Sequence, residues 1–238
     1  MMNIGIISRK ELTSYVTSPM AYVVTAVFLA LSGAFFGAYL AGTDYADTSI
    51  KGFLDAAQFL ILFFAAVLTM RLVAEERKIG TWELLRTAPL RDADIIAGKF
   101  ISSLAVLSGM LALTLYYPAL LLVFGDPDLG AVVTSYLGLL LLGSACLSVG
   151  IFASTLTSNQ IVSAVVAGGM LSVLWFQGAV GDLSGGELRE VLRYLSLSNH
   201  FSAFARGIVD TRDIVYYLSV TALFLYLATR SIESGRWR

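Results

Sequence analysis

Between Asp128 and Asp182 the chain runs for 53 residues without a charged side chain. A bilayer crossing takes roughly 20 apolar residues, so this run is long enough for two membrane helices. Charge-free stretches of 32 residues between Glu11 and Asp44, and of 26 between Lys99 and Asp126, repeat the pattern. Only 14% of the 238 residues are charged, where soluble domains carry about a quarter. The chain therefore reads as an all-α integral membrane protein.

Six spans follow, at about 19–40, 53–74, 95–124, 131–156, 161–180 and 214–229. Ser18 is placed to cap the first, with Pro19 in its first turn, where a missing N–H costs nothing. Pro118 predicts a kink or break in the third. The 53-residue run divides at its most polar patch, Thr157-Ser158-Asn159-Gln160. An even span count puts both termini on one side. That side holds eleven of the sixteen Lys and Arg, including six from Arg71 to Lys99. Basic loops stay in the cytoplasm, which predicts cytoplasmic termini and a multi-pass protein of the bacterial inner membrane.

The same arithmetic excludes several functions. A net charge of −1 gives no basic field for nucleic acid. A single cysteine, Cys146, permits no intrachain disulfide and reads as a small buried apolar residue. A single histidine, His200, cannot build a multi-histidine metal site. No cofactor or metal is expected in this chain. The first apolar run is too long for a signal h-region and follows a segment containing Glu11, so a cleaved leader is not expected. No acid or base lies mid-span to serve a proton relay.

Three segments outside the spans carry patterns of their own within one domain, 1–238. In 1–18, Ile4, Ile7 and Tyr15 sit among Arg9, Lys10 and Glu11, as in a helix lying in the membrane interface, or simply the frayed start of span one. In 181–213, Leu188, Val191, Leu192 and Leu195 repeat at helical spacing, as do Phe201, Phe204, Ala205 and Ile208; two short outer amphipathic helices fit. The cytoplasmic loop 75–94 is the most charged. There Gly80 is placed to end one helix, Thr81 to cap a short second one, and Pro89 to stop it. Trp82, Leu84 and Leu85 then stand between Glu75, Glu76, Arg77 and Glu83. An exposed apolar cluster of this kind marks a partner surface; packing up against the bundle is the even alternative.

Glu75-Glu76-Arg77, Gly80-Thr81, Glu83-Leu84-Leu85, Thr87-Ala88-Pro89 and Gly98-Lys99 together resemble the membrane subunits of ABC-2 type transporters, nearest to the permeases associated with gliding motility. Lys10-Glu11, Ser18-Pro19-x-Ala21-Tyr22, Asn199-His200-Phe201, Arg206-Gly207 and Arg236-Trp237 extend the resemblance over essentially the whole chain. It implies a cytoplasmic coupling helix between spans two and three. It also implies two permease copies, a homodimer, and two separate cytoplasmic ATPase subunits that bind ATP and Mg. An exporter follows, with membrane lipid and an auxiliary outer-side protein as further contacts. A membrane-embedded enzyme and an ATP-independent scaffold or channel are the alternatives. No H-E-x-x-H, second histidine or G-x-S-x-G supports the enzyme.

Leu183-Ser184-Gly185-Gly186-Glu187 looks like an ATPase signature, but no Walker A loop accompanies it, and it reads as a turn into the following helix. Gly33-x-x-x-Gly37 and Ala164-x-x-x-Gly168 permit close helix approach. The resemblance puts the first and fifth spans at the dimer interface, while packing within one subunit explains the stripes equally well. Tyr116, Tyr117, Trp175 and Gln177 gather toward the outer ends of spans three and five, lining a path or forming an aromatic belt. His200 is either a pH-sensitive or ligand-contacting group or a hydrogen-bonded residue at a helix start.

Overall fold

The computed structural model describes residues 2–42, 51–82, 90–124, 128–183 and 185–234. The described residues form helices joined by turns, with no strand among them, and six helical stretches have the length and composition to cross a membrane. A span exposed to lipid must satisfy every backbone polar group internally, and an α-helix does so. α1 is Met2–Thr17, α2 Pro19–Gly42, α3 Lys51–Thr69 and α4 Ala74–Ile79. α5 (Asp92–Thr114) and α6 (Tyr116–Phe124) form one broken span; α7 is Leu129–Leu156 and α8 Gln160–Leu183. α9 (Glu187–Leu195) and α10 (Leu197–Phe204) are short, and α11 (Thr211–Ser234) is the last span.

Breaks fall where side chains supply alternatives to the helix ladder. Asp128 caps α7 by accepting from Gly130 N at 2.8 Å. Thr157 leaves the helical region, and Asn159 accepts from Ile161 N at 2.9 Å to start α8. The long apolar run is thus divided at the polar patch that its sequence indicated. The third span breaks at Leu115, where the ring of Pro118 collides with the carbonyl of an uninterrupted helix one turn earlier.

α7 is the centre. α11, α3, α8 and α5 pack around it, and Leu139, Leu142, Cys146, Leu147 and Val149 are fully buried. Its buried serines are satisfied within the helix, since Ser144 and Ser148 donate to carbonyls one turn back at 2.7 Å. α2 and α8 flank this core, burying Phe28 and Leu171 in it and leaving Val23, Val27 and Phe35 on one and Val165, Val173 and Phe176 on the other exposed. α1, the 70–82 segment, the start of α5 and the end of α7 share the end of the bundle nearest the chain termini; α9 and α10 cap the far end.

Two elements at the far end differ in detail from their sequence pattern. α10 ends at Phe204, so Ala205 enters a turn and Ile208 lies beyond the helix, 56% exposed. The turn reaches Gly207, whose φ of 83° suits glycine. Leu192 of α9 packs toward Gly181 of α8, whereas Leu188, Val191 and Leu195 stay exposed among the described residues.

Candidate functional site at the terminal end

The 51–79 stretch is interrupted by a turn at residues 70–73. Ser154, on α7, holds that turn: its Oγ accepts from Val73 N and Ala74 N at 3.1 Å each and donates to Met70 O at 3.2 Å. A hydroxyl has one donor and two acceptor sites, and all three are used. α4 then carries Glu75, Glu76 and Arg77 and ends at Gly80 with φ 81°, as the glycine suggested. Thr81 and Trp82 are helical again. Glu83, Leu84, Leu85 and Pro89 lie outside the described residues.

Beneath α4 sits a buried ion cluster. Lys99 is fully buried on α5, and its Nζ lies 3.1 Å from Glu11 Oε1 and 2.9 Å from Glu76 Oε2. Glu76 Oε2 accepts no hydrogen bond among the described residues, so its contact with the ammonium is ionic rather than directed. Lys10 completes the cluster from the surface, 3.6 Å from Glu76 Oε1 and 3.9 Å from Glu11 Oε1. Two lysines and two glutamates balance in charge. A buried lysine needs such partners, because an uncompensated charge in a low dielectric is strongly unfavourable.

Steric fit brings α1 within reach. Gly98 faces Ile7, and a Cβ there would lie 2.6 Å from Ile7 Cγ2, so glycine alone lets α1 and α5 approach this closely. Ile7, Glu11 and Tyr15 share one face of α1, and that face is the inward one. Tyr15 Oη donates to Leu68 O at 2.7 Å, and Arg71 lies 4.5 Å over the Tyr15 ring while donating to Ser18 Oγ at 3.3 Å. Burial pushes the Tyr15 phenol well above its usual range, which keeps it a donor. α1 is therefore clamped to α3 and α5 rather than frayed, and Ser18 serves Arg71. A cleft of about 380 Å³ opens over the cluster, lined in part by Lys10, Glu11, Ser14, Arg71, Glu75 and Glu76.

Several expected roles change. Trp82 is not exposed: it is 6% accessible and lies with Arg77 5.7 Å from its ring centroid. Glu76 belongs to the buried cluster, not to an open rim. Lys99, counted from the sequence among the basic residues of the terminal side, is buried in the structure. The signal for this cluster was present: Lys10-Glu11, Glu75-Glu76 and Gly98-Lys99 stood out separately, but nothing in the sequence joined them.

The profile of the ABC-2 family transporter proteins matches residues 6–235 of this chain. The chain belongs to the ABC-2 family. It is a multi-pass permease component of an ABC transporter, and membership implies partnership with an ATPase subunit. No curated protein matches the chain.

The other singled-out residues of this ABC-2 protein fall in separate places. Gly33 faces Tyr117 of its own subunit, whose hydroxyl would lie 3.1 Å from an added Cβ. Gly37 and Gly168 have open space around them, and Ala164 and Gly168 line a groove of about 300 Å³ with Phe59, Phe63 and Phe176. Tyr117 is buried against Phe36 and Phe53, and its hydroxyl lies 3.0 Å from Ser32 Oγ; Tyr116 beside it is exposed. Trp175 accepts at its carbonyl from Ser196 at 3.0 Å, and Gln177 has a buried Oε1 without a hydrogen-bond partner among the described residues.

Proposed function

We propose that this permease couples a separate cytoplasmic ATPase to export through the Glu11–Lys99–Glu76 cluster. What carries the reading is one observation: a single buried ammonium ties α1, α4 and the start of α5 together beneath the segment that resembles a coupling helix. A force applied to residues 75–90 is resisted by Lys99 and shared between α1 and span three. Binding energy at that face then biases a bundle with two arrangements, since a partner shifts a conformational equilibrium only by its differential affinity for the two states.

In this account the termini and residues 71–99 face the cytoplasm. ATP and Mg are bound by the partner, and this chain performs no covalent chemistry. Two permease copies pair, with the open faces at Gly37 and at Ala164–Gly168 supporting contacts of α2 and α8; Gly33 is set aside for packing within the subunit. Leu84 and Leu85 are the apolar anchors offered to the ATPase, with Glu75 and Glu83 as the charged contacts around them. The gliding-motility subtype rests on resemblance in residues 75–99 and 199–207.

The experiment is reconstitution with the ATPase that copurifies with this chain. The native permease is expected to raise ATP hydrolysis, and Lys99→Met to bind the ATPase without raising it. Equal stimulation by both would sink the coupling role of the cluster.

A further inference from the structure

The far end of the bundle holds a buried titratable cluster that coupling does not use. His200, the only histidine of the chain, is 8% exposed on α10. Its Nδ1 lies 2.6 Å from Asp213 Oδ1 on α11, and its Nε2 lies 2.7 Å from the carbonyl oxygen of Tyr194 on α9. A carboxylate and a carbonyl are both acceptors, whereas a neutral imidazole offers one N–H and one lone pair. A neutral ring would therefore turn a lone pair onto an acceptor at one of two very short contacts. A ring that donates from both nitrogens satisfies both.

We infer that His200 and Asp213 form a proton-binding site, whose imidazolium clamps α9 and α10 onto α11. Imidazole is intrinsically more basic than a carboxylate, so the shared proton resides on the ring. The surroundings favour the charge. The Tyr216 ring stacks on the imidazole at 3.9 Å between centroids and 17° between planes, placing the ring cation over a π face. Tyr194 meets the ring edge-on at 5.3 Å.

Of the other titratable groups on the elements around the ring, Glu187 and Glu190 of α9, Arg206 and Arg212 are exposed to the surface. Tyr216 Oη donates to Leu195 O at 2.6 Å and Tyr217 Oη to Leu197 O at 2.8 Å. α10 carries no other ionisable side chain. α7 contributes buried Cys146 and Tyr136, whose hydroxyl pairs with Thr114 at 3.0 Å. α8 contributes Asp182, which pairs with Arg189 and Arg193 of α9. Asp210, ahead of α11, accepts from Arg212 N at 2.9 Å. Among the described residues, the ion pair of Asp213 is with His200.

Linkage gives the sign. Separating α9 or α11 from α10 removes an acceptor from the ring, so the closed arrangement binds the proton more tightly than the open one. A ligand that prefers one state stabilises it. Acid therefore holds the clamp, and raising the pH through the loss of this proton releases it.

Because His200 is the sole histidine, labelling the untagged full chain with ¹⁵N-histidine reads this site alone. At pH 7 both ring nitrogens are expected to be protonated, and Asp213→Asn is expected to lower proton affinity at least tenfold. Hydrogen exchange of α9 and α10, corrected for intrinsic rates, is expected to speed up at least tenfold as the native ring deprotonates. In His200→Gln it is expected to show no such step. A neutral single tautomer at pH 7 in the native protein, or protection of α9 that ignores the titration of the ring, overturns the proposal.

Discussion

Lys99 and Glu76 meet at 2.9 Å although one side chain belongs to a membrane span and the other to the helix that follows the previous span. Glu11 meets the same ammonium from a third element. Moving any one of the three segments alone must break an ion pair in a buried place.

Removing the ammonium leaves two largely buried carboxylates with only the surface ammonium of Lys10, 3.6 Å from Glu76 and 3.9 Å from Glu11. Lys99→Met is expected to destabilise the protein by about 3–5 kcal/mol, the cost of breaking a buried pair from one side. Replacing all three charged groups, with Glu11→Gln, Glu76→Gln and Lys99→Met together, should recover most of that loss in thermal unfolding while stimulated ATP hydrolysis stays low. Recovery of both would make the cluster structural only.

Close approach of α1 and α5 depends on Gly98. Gly98→Leu is expected to displace α1 from Ile7 onward and to expose Lys99. The measurement is disulfide trapping between cysteines at Glu11 and Glu76 in the native background and in the variant. Unchanged trapping would show that α1 is held without this contact.

The two small-residue stripes are expected to separate by readout. Gly33→Leu confronts Tyr117 within the subunit and should lower thermal stability. Gly168→Leu meets open space in the subunit and should leave stability alone while weakening dimers in detergent. Dimers that survive Gly168→Leu remove this stripe from the interface.

Span count, the break at residues 157–160, the turn at Gly80 and the short helices after residue 183 were legible in the sequence. Charge-free length and capping residues act locally and leave a local signature. The ion cluster was not legible as a unit, because Glu11, Glu76 and Lys99 are joined only by tertiary packing through Gly98 and Ile7. For Trp82 the sequence left a partner surface and packing against the bundle open; the structure buries it, with the Arg77 guanidinium 5.7 Å from its ring centroid. His200 was visible as a solitary residue, but its two acceptors come from α9 and α11.

The proposed orientation rests on the basic asymmetry of the sequence. Cysteines placed singly at Ser49 and Gly185 are expected to react with an impermeant thiol reagent outside intact cells, and one at Thr87 is expected to be protected. Natural Cys146 is buried and leaves the background low. Labelling at Thr87 with the other two protected would invert the account.

The most direct test of coupling is purification of this chain from its native membrane, followed by measurement of the Mg–ATP hydrolysis that accompanies it. The account predicts hydrolysis carried by a second polypeptide and none by the stripped chain. Leu85→Ala and Glu83→Lys should lower the captured activity at unchanged thermal stability, since truncating a central apolar anchor costs about 2 kcal/mol. Hydrolysis retained by the stripped chain, or undiminished capture by both variants, would contradict it.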